Sequence, residues 1–184
     1  MLNVISGLLG NGGGATNSYE SISTITVGAS PSNITFSSIP STYKHLQIRA
    51  IMRSSVAGAT DFLQIIANGD TASNYSYHSL RGNGSAASAG GAGSTVFYGS
   101  IDFPGATATS GVFGAMTIDL LDYADTNKYK TFRILAGADV NGSGMISFLS
   151  GSWRNTAAVN SITINAASAS FSQYSSFALY GIKG

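Results

Sequence analysis

Residues 19–55 read YESISTITVGASPSNITFSSIPSTYKHLQIRAIMRSS, and this stretch decides the fold. Three short runs rich in Ile, Thr and Phe are separated by Gly28, Ser30-Pro31 and Ile39-Pro40. β-branched and aromatic residues favour strands, while Gly and Pro mark the turns between them. In the third run Leu46, Ile48, Ala50 and Met52 alternate with Gln47, Arg49, Ile51 and Arg53. A period of two puts the first set on a buried face and the second on a mostly wet one.

The same texture extends to the end of the chain. Candidate strands are residues 21–27, 32–38, 44–53, 62–67, 75–80 and 95–103, followed by 112–121, 129–137, 145–150, 161–165 and 177–182. Turn signals fall between them at Asn68-Gly69-Asp70, Asn83-Gly84 and Asn141-Gly142. No segment carries a sustained helical stripe with caps, so helix content should be very low. Residues 82–94, GNGSAASAGGAGS, bury too little apolar surface to fold alone and read as a long surface loop. The pattern predicts an all-β chain with a single antiparallel β-sandwich over residues 19–184.

Residues 1–18 form a separate unit. Leu2, Val4, Ile5, Leu8 and Leu9 are apolar, and glycines at 10, 12, 13 and 14 follow them. Those glycines make helix or strand costly and give the segment a linker character. We expect an extended N-terminal arm whose five aliphatic side chains bury against another subunit.

Bulk composition narrows the function classes. The 184 residues are 43% hydrophobic but only 9% charged, against about 25% in ordinary soluble domains. Ser, Thr, Asn and 23 glycines supply the polarity instead. A net charge of +1 gives no reason to expect nucleic-acid binding or an anionic membrane surface. No apolar run approaches the roughly 20 residues of a membrane helix. With so few charges, large faces are expected to be covered by copies of the chain or by a partner. Cysteine is absent, which excludes disulfides and thiolate metal sites.

Few residues suggest chemistry. Asp139, Asn141, Ser143 and Gly144 mimic the start of a calcium loop, but its twelfth position is Ser150 where a bidentate acid is needed. An Asn-Gly hairpin is the simpler reading. Asp119, Asp122 and Asp125 could converge on a cation; closing a strand and solvating a turn suits them better, with Asp125 and Asn127 bonding the local backbone. His45 and His78 are the only histidines and neither sits in a nucleophile motif. Glu20 is the only glutamate, so no carboxylate pair for glycoside hydrolysis is evident. We therefore expect a non-enzymatic protein without metal or cofactor. Tyr75, Tyr77, Phe97, Tyr98 and Trp153 could form a glycan-stacking platform, although aromatics in strands more often serve a core or an interface. Lys44, Arg49, Arg53, Arg81, Arg133 and Arg154 are scattered and suggest hydrogen bonds between subunits.

The runs SYESISTITVG, ITFSSIPSTYKHLQIRAIMRSS, FLQIIANGDTASNYSYHSL and ITINAASASFSQYSSFALYGIKG resemble a group of tailed-bacteriophage virion proteins. The resemblance covers most of residues 18–184 and carries no catalytic motif. It implies a sandwich of jelly-roll type on the virion exterior. The role it implies first is a capsid cement (decoration) protein. This would be a homotrimer bound to the major capsid protein, with Leu2, Val4, Ile5, Leu8 and Leu9 docking on the shell. The alternative it implies is a tail-fibre or receptor-binding component that turns Tyr75, Tyr77 and Trp153 toward host glycans.

Overall fold

The computed structural model describes residues 18–140 and 142–184. The expected arm, with Leu2, Val4, Ile5, Leu8 and Leu9, lies outside the described residues, as does Asn141. Twelve strands follow one another, with no helix among the described residues. They are β1 (Tyr19–Thr26), β2 (Asn33–Phe36), β3 (His45–Met52), β4 (Thr60–Ala67), β5 (Tyr75–Gly82) and β6 (Ala87–Ser94). The second half contributes β7 (Phe97–Pro104), β8 (Gly114–Leu121), β9 (Lys130–Asp139), β10 (Gly144–Trp153), β11 (Ile162–Ala166) and β12 (Ser176–Ile182). Every predicted strand is present, with small shifts at its ends.

One expectation fails. Residues 82–94 do not form a loop: after a short turn, Ala87–Ser94 pairs along the whole of β5, from Gly82↔Ala87 to Tyr75↔Ser94. The turn is built by Asn83, whose Oδ1 accepts the backbone N–H of Ser85 and of Ala86 at 3.0 and 2.8 Å. Gly84 takes a left-handed conformation there, with φ 88°. Small side chains do not prevent pairing when a neighbouring strand supplies the backbone partners.

The strands form two antiparallel sheets that pack as a β-sandwich. The larger has eight strands in the order β1-β12-β3-β8-β9-β10-β5-β6, and the smaller has four in the order β2-β11-β4-β7. Strand β7 crosses the inner face of β9, β10 and β5. Its Phe97 ring stacks on Phe132 of β9 with centroids 5.3 Å apart. A glycine on β10 makes this approach possible, since a Cβ at Gly151 would lie 1.5 Å from Phe97 Cε2. Further along, Phe171 bridges Phe103 of β7 and Phe177 of β12, at 5.9 and 4.8 Å. The alternation in β3 is as predicted: Leu46, Ile48, Ala50 and Met52 are buried in the core.

Polar groups pin the sandwich at its margins. Asp70 Oδ2 accepts Trp153 Nε1–H and Asn74 Nδ2–H at 2.7 and 2.8 Å. Bonds from Asn74 first and Trp153 next hold its carboxyl below the usual carboxylate range. Lys130 is fully buried and its Nζ donates to the carbonyls of Asp125, Lys128 and Thr156. Arg53 donates to four carbonyls, of Ala106, Ala108, Thr109 and Val112, and so shapes the connection between β7 and β8.

Candidate functional site

Because side chains alternate across a strand, one face of the eight-stranded sheet meets the core and the other looks outward. The cross-strand register fixes which residues share an outer row. The first row runs Ser176, Ile51, Ala115, Gly137, Ile146, Gly82. The second runs Ala178, Arg49, Thr117, Leu135, Phe148, Leu80, and the third Tyr180, Gln47, Asp119, Arg133, Ser150, His78.

The first two rows are mainly apolar and open. Ile51, Leu80, Leu135, Ile146 and Phe148 are all about half exposed, between 49% and 59%. In the first row, Ala115 and Gly137 stand between the bulkier Ile51 and Ile146. Two small residues flanked by two large ones leave a trough. With the turn joining β9 to β10 and the start of the β5–β6 turn as its end walls, it forms a groove of about 940 Å³. Only Arg49 and Asp139 among its lining residues are charged. A groove of this volume with aliphatic walls suits an apolar side-chain cluster. Single exposed hydrophobes are ordinary on a protein surface, whereas a contiguous apolar patch marks an interaction site.

The third row is polar and internally paired. Gln47 Nε2 donates to Asp119 Oδ1 at 2.8 Å, and Arg133 donates to Asp119 Oδ2 at 2.8 Å. Arg49 Nε donates to Gln47 Oε1 at 2.8 Å, and its guanidinium lies over the rings of both Tyr19 and Tyr180. The outer face is thus divided, with a dry half beside the β9–β10 turn and a wet half toward the opposite strand ends.

The residues singled out in the sequence fall elsewhere. Tyr75 and Trp153 are buried, at 0% and 1% exposure, and stack on each other with centroids 6.4 Å apart. Tyr75 Oη donates to the Asp70 carbonyl at 2.9 Å and accepts Ala67 N–H at 3.0 Å, and burial pushes its hydroxyl up to about 12. Tyr77 is half-buried against Phe97. These rings belong to the core and present no stacking platform; the side chain of Tyr98 lies outside the described residues.

Asp139 closes the β9–β10 hairpin opposite Gly144, and its Oδ1 accepts Gly142 N–H at 3.2 Å. Ser150 sits well down β10 opposite Arg133, away from Asp139 and Gly144 at the hairpin end. Asp119 is held in the third row, away from Asp122 and Asp125. The ammonium of Lys128 bridges those two, and Lys44 also contacts Asp122 at 2.9 Å. Lys128 first and Lys44 next hold the Asp122 carboxyl down to about 2. As predicted, Asp125 Oδ1 accepts Asn127 N–H, at 2.8 Å.

His45 Nδ1 accepts the backbone N–H of Asp122 at 3.0 Å. His78 stands opposite Ser150 on the open face, with Arg133 rather than a carboxylate on the serine's other side. Basic residues expected to bond other subunits make bonds within the chain. Arg81 pairs with Asp102, Arg133 with Asp119, and Arg154 donates to the Ser73 carbonyl.

Sequence reasoning missed the groove residues. A signal was present: residues 132–136 and 145–149 carry apolar side chains in both phases of the two-residue period, interrupted only by Arg133 and Ser147, which one buried face does not require.

No protein-family model matches this sequence, and no curated protein matches it.

Proposed function

We propose that the protein is a non-enzymatic structural component of a tailed-phage virion. In this reading it is a jelly-roll module that decorates the capsid exterior as a homotrimer and reinforces the major capsid protein. The observation that carries the reading is the open, largely uncharged half of the outer sheet face, a surface suited to protein contact rather than to substrate or polyanion binding.

The wiring supports the jelly-roll part. With the hairpins β5–β6 and β9–β10 set aside, β1-β12-β3-β8 faces β2-β11-β4-β7. The last strand lies between the first and third, and β11 lies between β2 and β4. This double interleaving suits the two Greek keys of a jelly roll, an architecture used in viral capsid domains. The two extra hairpins widen one sheet, and β9 and β10 supply much of the exposed apolar face.

The tail-fibre alternative relied on Tyr75, Tyr77 and Trp153 as a glycan platform, and the burial of Tyr75 and Trp153 takes that support away. The test is the copy number per particle relative to the major shell subunit, by quantitative mass spectrometry of purified virions. A ratio comparable to the shell subunit supports the capsid role. A handful of copies moves the protein to the tail, and its absence from particles overturns the virion reading.

A further inference from the structure

We propose that the outer groove of one copy receives residues 2–9 of a second copy, so that the chains associate by exchanging their N-terminal segments. This names the occupant of the face read above as an interface, and so rests on that reading.

The chemistry of the two surfaces matches. Leu2, Val4, Ile5, Leu8 and Leu9 place five aliphatic side chains within eight positions, and residues 1–17 contain no charged side chain. The groove presents Ile51, Leu135 and Ile146 as walls and Ala115 and Gly137 as floor, with no cluster of charge to leave unpaired. Gly137 on the floor lets a guest backbone approach closely. Burial of aliphatic side chains is favourable in proportion to the apolar area removed from water, so several aliphatic groups meeting several half-exposed ones supply useful affinity.

The tether argues for a second copy. The described chain begins at Ser18, beside the edge strand β1, and residues 10–17 separate it from Leu9. Ser18 lies near the sheet end that holds His45, whereas the groove lies at the end that holds Ile51. With strands about 4.8 Å apart and a rise of about 3.3 Å per residue, the near rim at Ile51 is about 25 Å from Ser18. The centre, between Leu135 and Ile146, is about 30 Å away by the same spacings. The nine Cα–Cα steps from Leu9 to Ser18 reach about 30–32 Å only when fully extended. As a glycine-rich coil, their average span is about 16 Å. A fold-back that brings Leu9 to the centre of the chain's own groove therefore demands near-complete extension across the Tyr19–Arg49–Tyr180 stack. The groove of a second copy imposes no such limit. Segment exchange is reciprocal in a dimer and head-to-tail in larger rings, which close when the rotation permits, and a ring of three agrees with the homotrimer reading.

The experiment uses purified protein with no virion present, so its outcome is separate from particle composition. Light scattering after size-exclusion chromatography compares the full chain with Ile146→Glu, Leu135→Glu and a chain lacking residues 2–9. Leu135 and Ile146 are half exposed, so their substitutions spare the core formed by the described residues. A labelled peptide of residues 1–16 is then titrated onto the shortened chain by fluorescence anisotropy. We expect the full chain to be oligomeric and all three variants monomeric with unchanged circular dichroism. The peptide should bind the shortened chain and lose at least tenfold in affinity when Ile146→Glu is added. Three results overturn the proposal: a shortened chain that stays oligomeric, a peptide that does not bind, or a monomeric full chain whose groove is already blocked to the peptide by its own segment.

Discussion

Strand β10 presents Leu149 and Trp153 to one face of the large sheet and Ile146 and Phe148 to the other, and the two faces meet different fates. Leu149 is 0% exposed and Phe148 is 49% exposed, although the side chains are similarly apolar. Strand β9 repeats the contrast, with Phe132 and Ile134 inside and Leu135 outside. Strand β3 repeats it again, with Ile48 inside and Ile51 outside. The inner rows are covered by the four-stranded sheet; nothing in a single chain's described residues covers the outer rows. Folding needs only one of these faces. The second, apolar in its dry half, is the face we propose for assembly.

Substitutions that separate the faces should differ most on the inner side. Trp153→Ala and Phe132→Ala each open a cavity in a closed core, so we expect a loss of about 3–5 kcal/mol in urea unfolding. Gly151→Val should be comparably damaging, because its Cβ would collide with the Phe97 ring. A result near zero for these variants would erase the distinction between the faces. Lys130→Met comes next. It leaves the carbonyls of Asp125, Lys128 and Thr156 without their buried donor, and a loss of about 1–3 kcal/mol is expected in the same assay.

On the outer face, Leu135→Ser and Ile146→Ser should stay within about 0.5 kcal/mol of the parent when unfolded at high dilution. Their effect belongs to association instead. The smallest effect is at the wet rim. Asp122 has its carboxyl lowered from 3.8 to about 2, so its contribution is fully present above pH 3.8 and is lost as pH falls through about 2. Asp122→Asn should flatten that acid limb of a stability-against-pH curve, and added salt should shrink the difference, because Lys44 and Lys128 are half exposed.

Much of the fold was legible in the chain. The alternation of Leu46, Ile48, Ala50 and Met52 and the Gly and Pro punctuation placed the strands, because burial of one face imposes a period of two. Strand β6 was illegible, since ASAGGAGS has neither β propensity nor apolar weight; it is a strand because β5 offers it a full ladder of backbone partners. Lys130 gave no signal either, as its carbonyl cage is assembled from a turn and from Thr156, far apart in sequence. The site was misjudged for a related reason. Aromatic residues drew attention to Tyr75 and Trp153, but period-two reasoning does not say which phase of a doubly apolar strand faces the core. The register of β5, β9 and β10 decides this, and it places Trp153 inside and Ile146 and Phe148 outside.

The central claim is that the dry half of the outer face is covered in the assembled protein. Hydroxyl-radical footprinting of the native assembly, read by mass spectrometry, tests it most directly, with exposed Tyr174 as the internal standard. We expect Leu135, Ile146 and Phe148 to be strongly protected while Tyr174 is labelled freely. Labelling of those three in proportion to their single-chain exposures of 52%, 59% and 49% would contradict it.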